Sequence, residues 1–60
     1  MFNTKMKVTI VFNDGAEKFI INVPYSVNDI DIKNKVFSLY PKNTVKSIYR
    51  ERHGFLTLVK

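Results

Sequence analysis

His53 is the one histidine of the chain and the side chain best suited to act as a general base at neutral pH. It lies between Arg52 and Gly54, in a stretch that reads as a turn. No nearby Ser or Cys makes a nucleophile for it to activate, and Glu51 is the only local carboxylate. An exposed turn histidine accounts for it. Asp29 and Asp31 form a second candidate pair, but a metal or a two-carboxylate mechanism would need a third ligand that the sequence does not place there. Two acids at the start of a helix are explained by the helix dipole. The two glycines are too far apart for a phosphate-cradling loop. With no cysteine there is neither disulfide nor thiolate ligand. A zinc site built on one histidine would have to lean on carboxylates. The reading assigns no catalytic residue, metal ligand or cofactor, and expects a non-enzymatic protein without a small-molecule substrate.

The most functional-looking stretch is Lys46-Ser47-Ile48-Tyr49-Arg50-Glu51-Arg52-His53. Phosphates are met by Arg and Lys, and bases stack on Tyr or on guanidinium planes, so Lys46, Tyr49, Arg50, Arg52 and His53 are candidates for nucleic-acid contact. The stretch matches no established nucleic-acid-binding signature. The same charges would also serve as a solvated edge strand that resists sheet-to-sheet aggregation. A second candidate surface is a sheet face carrying Lys5, Lys7, Thr9, Val11, Lys18, Ile20 and Asn22. Val45, Tyr49, Thr57 and Val59 join it from the C-terminal half. Lys7, Lys18 and Ile20 are its proposed binding residues, because an apolar middle with a polar margin is the make-up of a protein interface.

Charge placement favours the first surface. The formal net charge is +5. Lys5, Lys7 and Lys18 are balanced by Asp14, Glu17 and Asp29 in the first half, so the whole excess falls after residue 30. A cationic half draws nucleic acid or an acidic protein. Two functions therefore stand side by side: nucleic-acid binding through the basic C-terminal hairpin, or a protein-binding adaptor or inhibitor of the kind phages and mobile elements encode. The second would act through the open sheet face, as a homodimer if two copies associate. The N-terminal MFNTKMK lacks the apolar run of a signal peptide and nothing approaches a membrane span. The expectation is a cytoplasmic protein with no membrane partner.

The elements that must position these residues are short and regular. From Lys5 to Phe12, Met6, Val8, Ile10 and Phe12 alternate with Lys5, Lys7 and Thr9, the period of a half-buried strand. Asn13-Asp14-Gly15-Ala16 follows. A two-residue type I′ loop at Asp14-Gly15 predicts Ile10 opposite Phe19, Val8 opposite Ile21 and Met6 opposite Val23. Pro24 ends the second strand. Ser26 is the expected N-cap of a helix reaching Tyr40, where Pro41 stops it. Ile32, Val36, Leu39 and Tyr40 share one helix face, with Ile30 and Phe37 on its flank. Asn28, Asp31, Asn34, Lys35 and Ser38 fill the polar side, and Lys33 can snorkel from the apolar edge. Val45 to Glu51 and Phe55 to Lys60 read as a second hairpin around Arg52-His53-Gly54. A two-residue loop sets Tyr49 opposite Leu58. A three-residue loop sets Ile48 opposite Leu58 and is preferred, because it buries Ile48, Leu56 and Leu58 together.

The order ββαββ in sixty residues predicts one α+β domain over 1–60, with one helix on a four-stranded mixed sheet and residues 1–4 loose. The opening hairpin, its exit through VPYSVNDI and the helix resemble a minimal β-grasp, as in ubiquitin-like domains. The resemblance implies strand order 2-1-4-3, with the first strand central and parallel to the last. The chain has no terminal Gly-Gly, so it implies nothing about conjugation. A core this small supplies roughly 3–5 kcal/mol at best. The helix flank at Ile30 and Phe37 must be covered by a curled sheet or by a second chain.

Overall fold

The computed structural model describes residues 5–60; the expectation for residues 1–4 lies outside them. Strands β1 (Lys5–Phe12) and β2 (Glu17–Pro24) precede helix α1 (Asp29–Leu39), and β3 (Val45–Arg52) and β4 (Phe55–Leu58) follow it. The four strands form one antiparallel sheet in the order β2-β1-β3-β4. With one helix on one sheet face, this is an α+β fold. The core lies between them and consists of Met6, Val8 and Ile10 of β1, Ile32 and Val36 of α1, Ile48 of β3, and Val59.

The expected order 2-1-4-3, with its mixed sheet and parallel β1–β4 pair, is corrected. The reason lies at the end of the helix. An eleven-residue helix carries the chain about 16 Å, from the Lys5–Pro24 end of the sheet back to the Phe12 end. There the Tyr40 ring meets Phe12 edge to face, with centroids 5.1 Å apart. The single 3₁₀ turn Lys42–Thr44 then delivers β3 directly beside β1. Asn13 holds that turn: its backbone N–H donates to the Thr44 carbonyl (3.0 Å) and its side-chain amide to the Asn43 carbonyl (2.7 Å). Held by Asn13 in this way, the turn sets the start of β3 in the place next to the end of β1. The eight-residue β3, with buried Ile48, takes the inner place, and the four-residue, exposed β4 takes the edge, where a short strand is least exposed to unwanted pairing.

Both hairpin registers also differ from expectation, each by one residue. In the first, Phe12 N–H donates to the Ala16 carbonyl (2.8 Å) and Gly15 N–H to the Phe12 carbonyl (3.0 Å), which closes a three-residue loop, Asn13-Asp14-Gly15. Gly15 takes φ +89°, and the Asp14 carboxylate accepts from Ala16 N–H. This is the turn-plus-left-handed-glycine loop, and it satisfies the same Asp-Gly pair as well as the two-residue form does. Val8 therefore pairs with Ile20, Thr9 with Phe19 and Ile10 with Lys18. A bulge at Ile21-Asn22, where Asn22 has φ 63°, restores the expected Met6–Val23 pair. In the second hairpin the two-residue loop forms instead of the preferred three-residue one. His53 (φ 52°) and Gly54 (φ +83°) are both left-handed, as a type I′ turn demands, and Tyr49 pairs with Leu58.

The helix begins later than expected. Tyr25 and Ser26 are spent in a turn in which Val27 N–H donates to the Pro24 carbonyl (3.2 Å). Asn28, not Ser26, is the N-cap, its side-chain oxygen accepting from Asp31 N–H at 2.9 Å. Ile32 and Val36 are buried and Phe37 is half-buried beneath Lys42, but Ile30 and Leu39 face outward. The sheet does not curl far enough to cover the flank.

Candidate binding surface

The alternation of β3 sends the candidate run Lys46–His53 to two faces of the sheet. Ile48 and Arg50 point toward the helix, Tyr49 and Glu51 away from it. Arg50 is not a free cation. Its Nε and Nη2 reach the Asp29 Oδ1 at 2.9 and 2.8 Å, its Nη2 also donates to the Val27 carbonyl, and its side chain is 16% exposed. The Asp29 carboxyl is held below the usual carboxylate range, first by the hydrogen bond from Arg50 and then by the Lys60 backbone N–H at 3.4 Å. This cluster ties the start of α1 to β3 and to the C-terminus. Arg52 lies over the Tyr25 ring, 4.1 Å from its centroid, and His53 meets the same ring at 6.2 Å. Lys46 is exposed and is the extra residue of a bulge where Val11 pairs with Ser47 but Phe12 with Val45. The structure does not gather the five into one patch.

The open sheet face is also redrawn. Lys7 and Tyr49 lie on it as expected. Lys18 and Ile20 do not: the shifted register pairs them with Ile10 and Val8, on the helix side. Thr57, paired with Arg50, and buried Val59 are on the helix side as well. In their place the face receives three residues that the sequence had assigned to the core, namely Phe19, Leu56 and Leu58, which are 53%, 56% and 48% exposed. The signal for them was present, since a three-residue first loop and a two-residue second loop were both compatible with the turn residues. Burial arithmetic on isolated hairpins favoured the opposite choice at each.

The face now has a regular layout. Across its middle run Phe19, Thr9, Tyr49 and Leu58, one from each strand in sheet order. On one side of that row stand Lys7, Glu51 and Leu56; on the other, Glu17, Val11 and Ser47. Lys7 pairs with Glu51 at 3.2 Å and lies over the Phe19 ring at 4.6 Å. Lys5 and Lys7 balance Glu17 and Glu51, so the face is neutral and the whole +5 excess lies elsewhere. Thr9 is 5% exposed even though it sits on this face, and its hydroxyl has no hydrogen-bond partner. An orphaned buried hydroxyl costs about 1–3 kcal/mol. Thr9→Val is therefore expected to raise the stability of the dilute protein by about 1 kcal/mol, read as a higher urea midpoint at unchanged m-value.

An apolar concavity lies off this face. The helix leaves β2 partly uncovered, which opens an apolar groove of about 340 Å³ between β2 and α1, floored by Val8, Ile20, Val23 and Ile32 with Asp31 and Lys35 at its lip. Asp31 and Lys35 are its charged lining residues. Among the described residues no group of three His, Asp or Glu side chains could hold a metal ion, and no helix is long and apolar enough to cross a membrane.

Compared with known proteins, the chain matches no family model, no curated protein and no solved structure.

Proposed function

We propose that the protein is a non-catalytic protein-binding module whose binding surface is the open sheet face. The observation that carries this is the row Phe19-Thr9-Tyr49-Leu58 together with Leu56 and Val11: large side chains from β2, β3 and β4 on either side of Thr9 and Val11 of β1, on a face without net charge. Scattered apolar residues on a surface need no explanation, but a contiguous set with a polar rim does. A neutral face suits a polypeptide partner. Nucleic acid would be drawn to the other side of the molecule, where the excess cations are. A second reading, nucleic-acid binding at the hairpin tip, is favoured by the Arg52 guanidinium stacked on Tyr25 beside His53. It loses Arg50 and Tyr49 as contacts, since one is ion-paired and the other is on the opposite face.

A photo-crosslinking side chain placed at Leu58, compared with one at Ser38 on the helix, separates the readings in cells. The expected result is polypeptide adducts at position 58 and few at position 38. Adducts to nucleic acid alone, or none at position 58, would overturn the proposal.

A further inference from the structure

The layout of the open face is self-complementary in one orientation, and we infer from this that its partner is a second copy of the chain. The two copies stack sheet to sheet about a two-fold axis that runs parallel to the strands between β1 and β3. This rests on the reading of the open face as a protein-binding surface and names its occupant. A face-to-face pair related by such an axis sets β1 over the other copy's β3, and β2 over its β4. Carried through the observed registers, Lys7 of each copy meets Glu51 of the other, Thr9 meets Tyr49, Phe19 meets Leu58, and Val11 meets Ser47. Cations meet anions and the two large apolar ends meet each other.

The alternative axis, across the strands, fails on chemistry. It would lay Tyr49 on Tyr49 and Phe19 on Phe19, but it would also press Lys7 against Val11 and Glu51 against Ser47. Each copy's Lys7–Glu51 pair would then be covered by Val11 and Ser47 of the other, with no second pair facing it, and burying an ion pair against groups that do not complement it is costly. In the strand-parallel stack, the Lys7–Glu51 pair within each copy (3.2 Å) closes into a ring of four alternating charges. These central pairs lie nearest the axis, where sheet twist displaces them least. An isologous pairing of this kind is also closed, so it ends at a dimer. The assembly has four layers, helix-sheet-sheet-helix, with aligned sheets about 10 Å apart. The surplus cations of each copy then lie off the contact surface. The face is about 19 Å across four strands, which places the dimer among small, exchanging interfaces.

The charge pairs supply a direct test. Lys7→Glu leaves the centre of the face wholly anionic and Glu51→Lys leaves it wholly cationic, so each variant alone repels its own kind. Mixed, the anionic face meets the cationic face at both positions. Sedimentation equilibrium of the purified full chain is expected to show a wild-type dimer, self-association weakened roughly 100-fold in each variant, and a dimer restored in the equimolar mixture. A monomeric wild type, dimerisation indifferent to both variants, or a mixture that stays monomeric would overturn the inference. Should either variant fail to fold by circular dichroism, dilution of isotope-labelled wild type takes its place. Concentration-dependent amide shifts are expected at Thr9, Phe19, Tyr49 and Leu58, and shifts confined to the helix would overturn it. A monomeric wild type that still yields polypeptide adducts at position 58 in cells removes the second copy and leaves the protein-binding reading standing. Absence of both removes the two together.

Discussion

Ile10→Ala is expected to leave the dilute chain largely unfolded, while Ile10→Val is expected to leave it folded with a lower urea midpoint. Ile10 has no solvent exposure and sits on the central strand, with Ile48 opposite it on β3 and the helix residues Ile32 and Val36 in the same core cluster. Truncating a buried Ile to Ala costs about 2–5 kcal/mol, because a cavity remains after the transfer term is lost, whereas Ile to Val costs about 0.5–1.5 kcal/mol. A core of this size without a disulfide supplies roughly 3–5 kcal/mol in all. The first loss is comparable with the whole; the second is not. Circular dichroism in urea at low micromolar protein reads the result. Repeating it at high concentration ties the fold to association, since a dimer that forms only from folded chains stabilises them by mass action.

Arg50→Met is expected to have the next largest effect. The side chain that looked like a nucleic-acid contact is the tie between β3, the Val27 carbonyl and the Asp29 carboxylate at the start of α1. A methionine keeps most of the apolar stem and removes the charge-assisted hydrogen bonds, of which one to a carbonyl is worth about 1.5–3 kcal/mol. The urea midpoint should fall substantially while the sheet signal of the folded baseline persists. The same tie sets an acid limb. The folded-state carboxyl of Asp29 is depressed, so its contribution is fully present above the unfolded carboxylate pKa of about 3.9 and is lost as pH falls through the lower folded value. Asp29→Asn should flatten the stability profile below about pH 4 and leave the Lys7–Glu51 pair intact. An unchanged acid limb would mean that Asp29 is not what titrates there.

Much of the chain could be read by local arithmetic. The alternation of β1, the turns at Asp14-Gly15 and around Arg52-His53-Gly54, the strand ends and the 3.6-residue pattern of α1 are each written in about a dozen residues or fewer, and the structure has each element close to where its pattern lies. The site was less legible. Lys7 and Tyr49 were placed on the open face correctly because each lies beside buried strand neighbours that fix its side. Phe19, Leu56 and Leu58 were missed, and Ile20 and Lys18 were misplaced, because side chains alternate along a strand, so a loop longer or shorter by one residue sends each to the opposite face. Asn13-Asp14-Gly15 supports either length. The Ile21-Asn22 bulge, which lets both Ile20 and Val23 face the helix, has no marker beyond an asparagine that tolerates positive φ.

By itself, the sequence determined which segments are strand, turn and helix, and that the core is small and mainly aliphatic. Only the tertiary structure decided that β3 lies beside β1, that Arg50 is spent internally, and that the open face is apolar and neutral. The physical reason is range. Turn chemistry and periodicity act over a few residues, and a sequence carries them directly. The pairing of β1 with β3 instead depends on a 3₁₀ turn being clamped by Asn13, about thirty residues away in the chain. The side to which Tyr49, Leu58 and Phe19 point then follows from that pairing and from two loops, each one residue from the opposite answer.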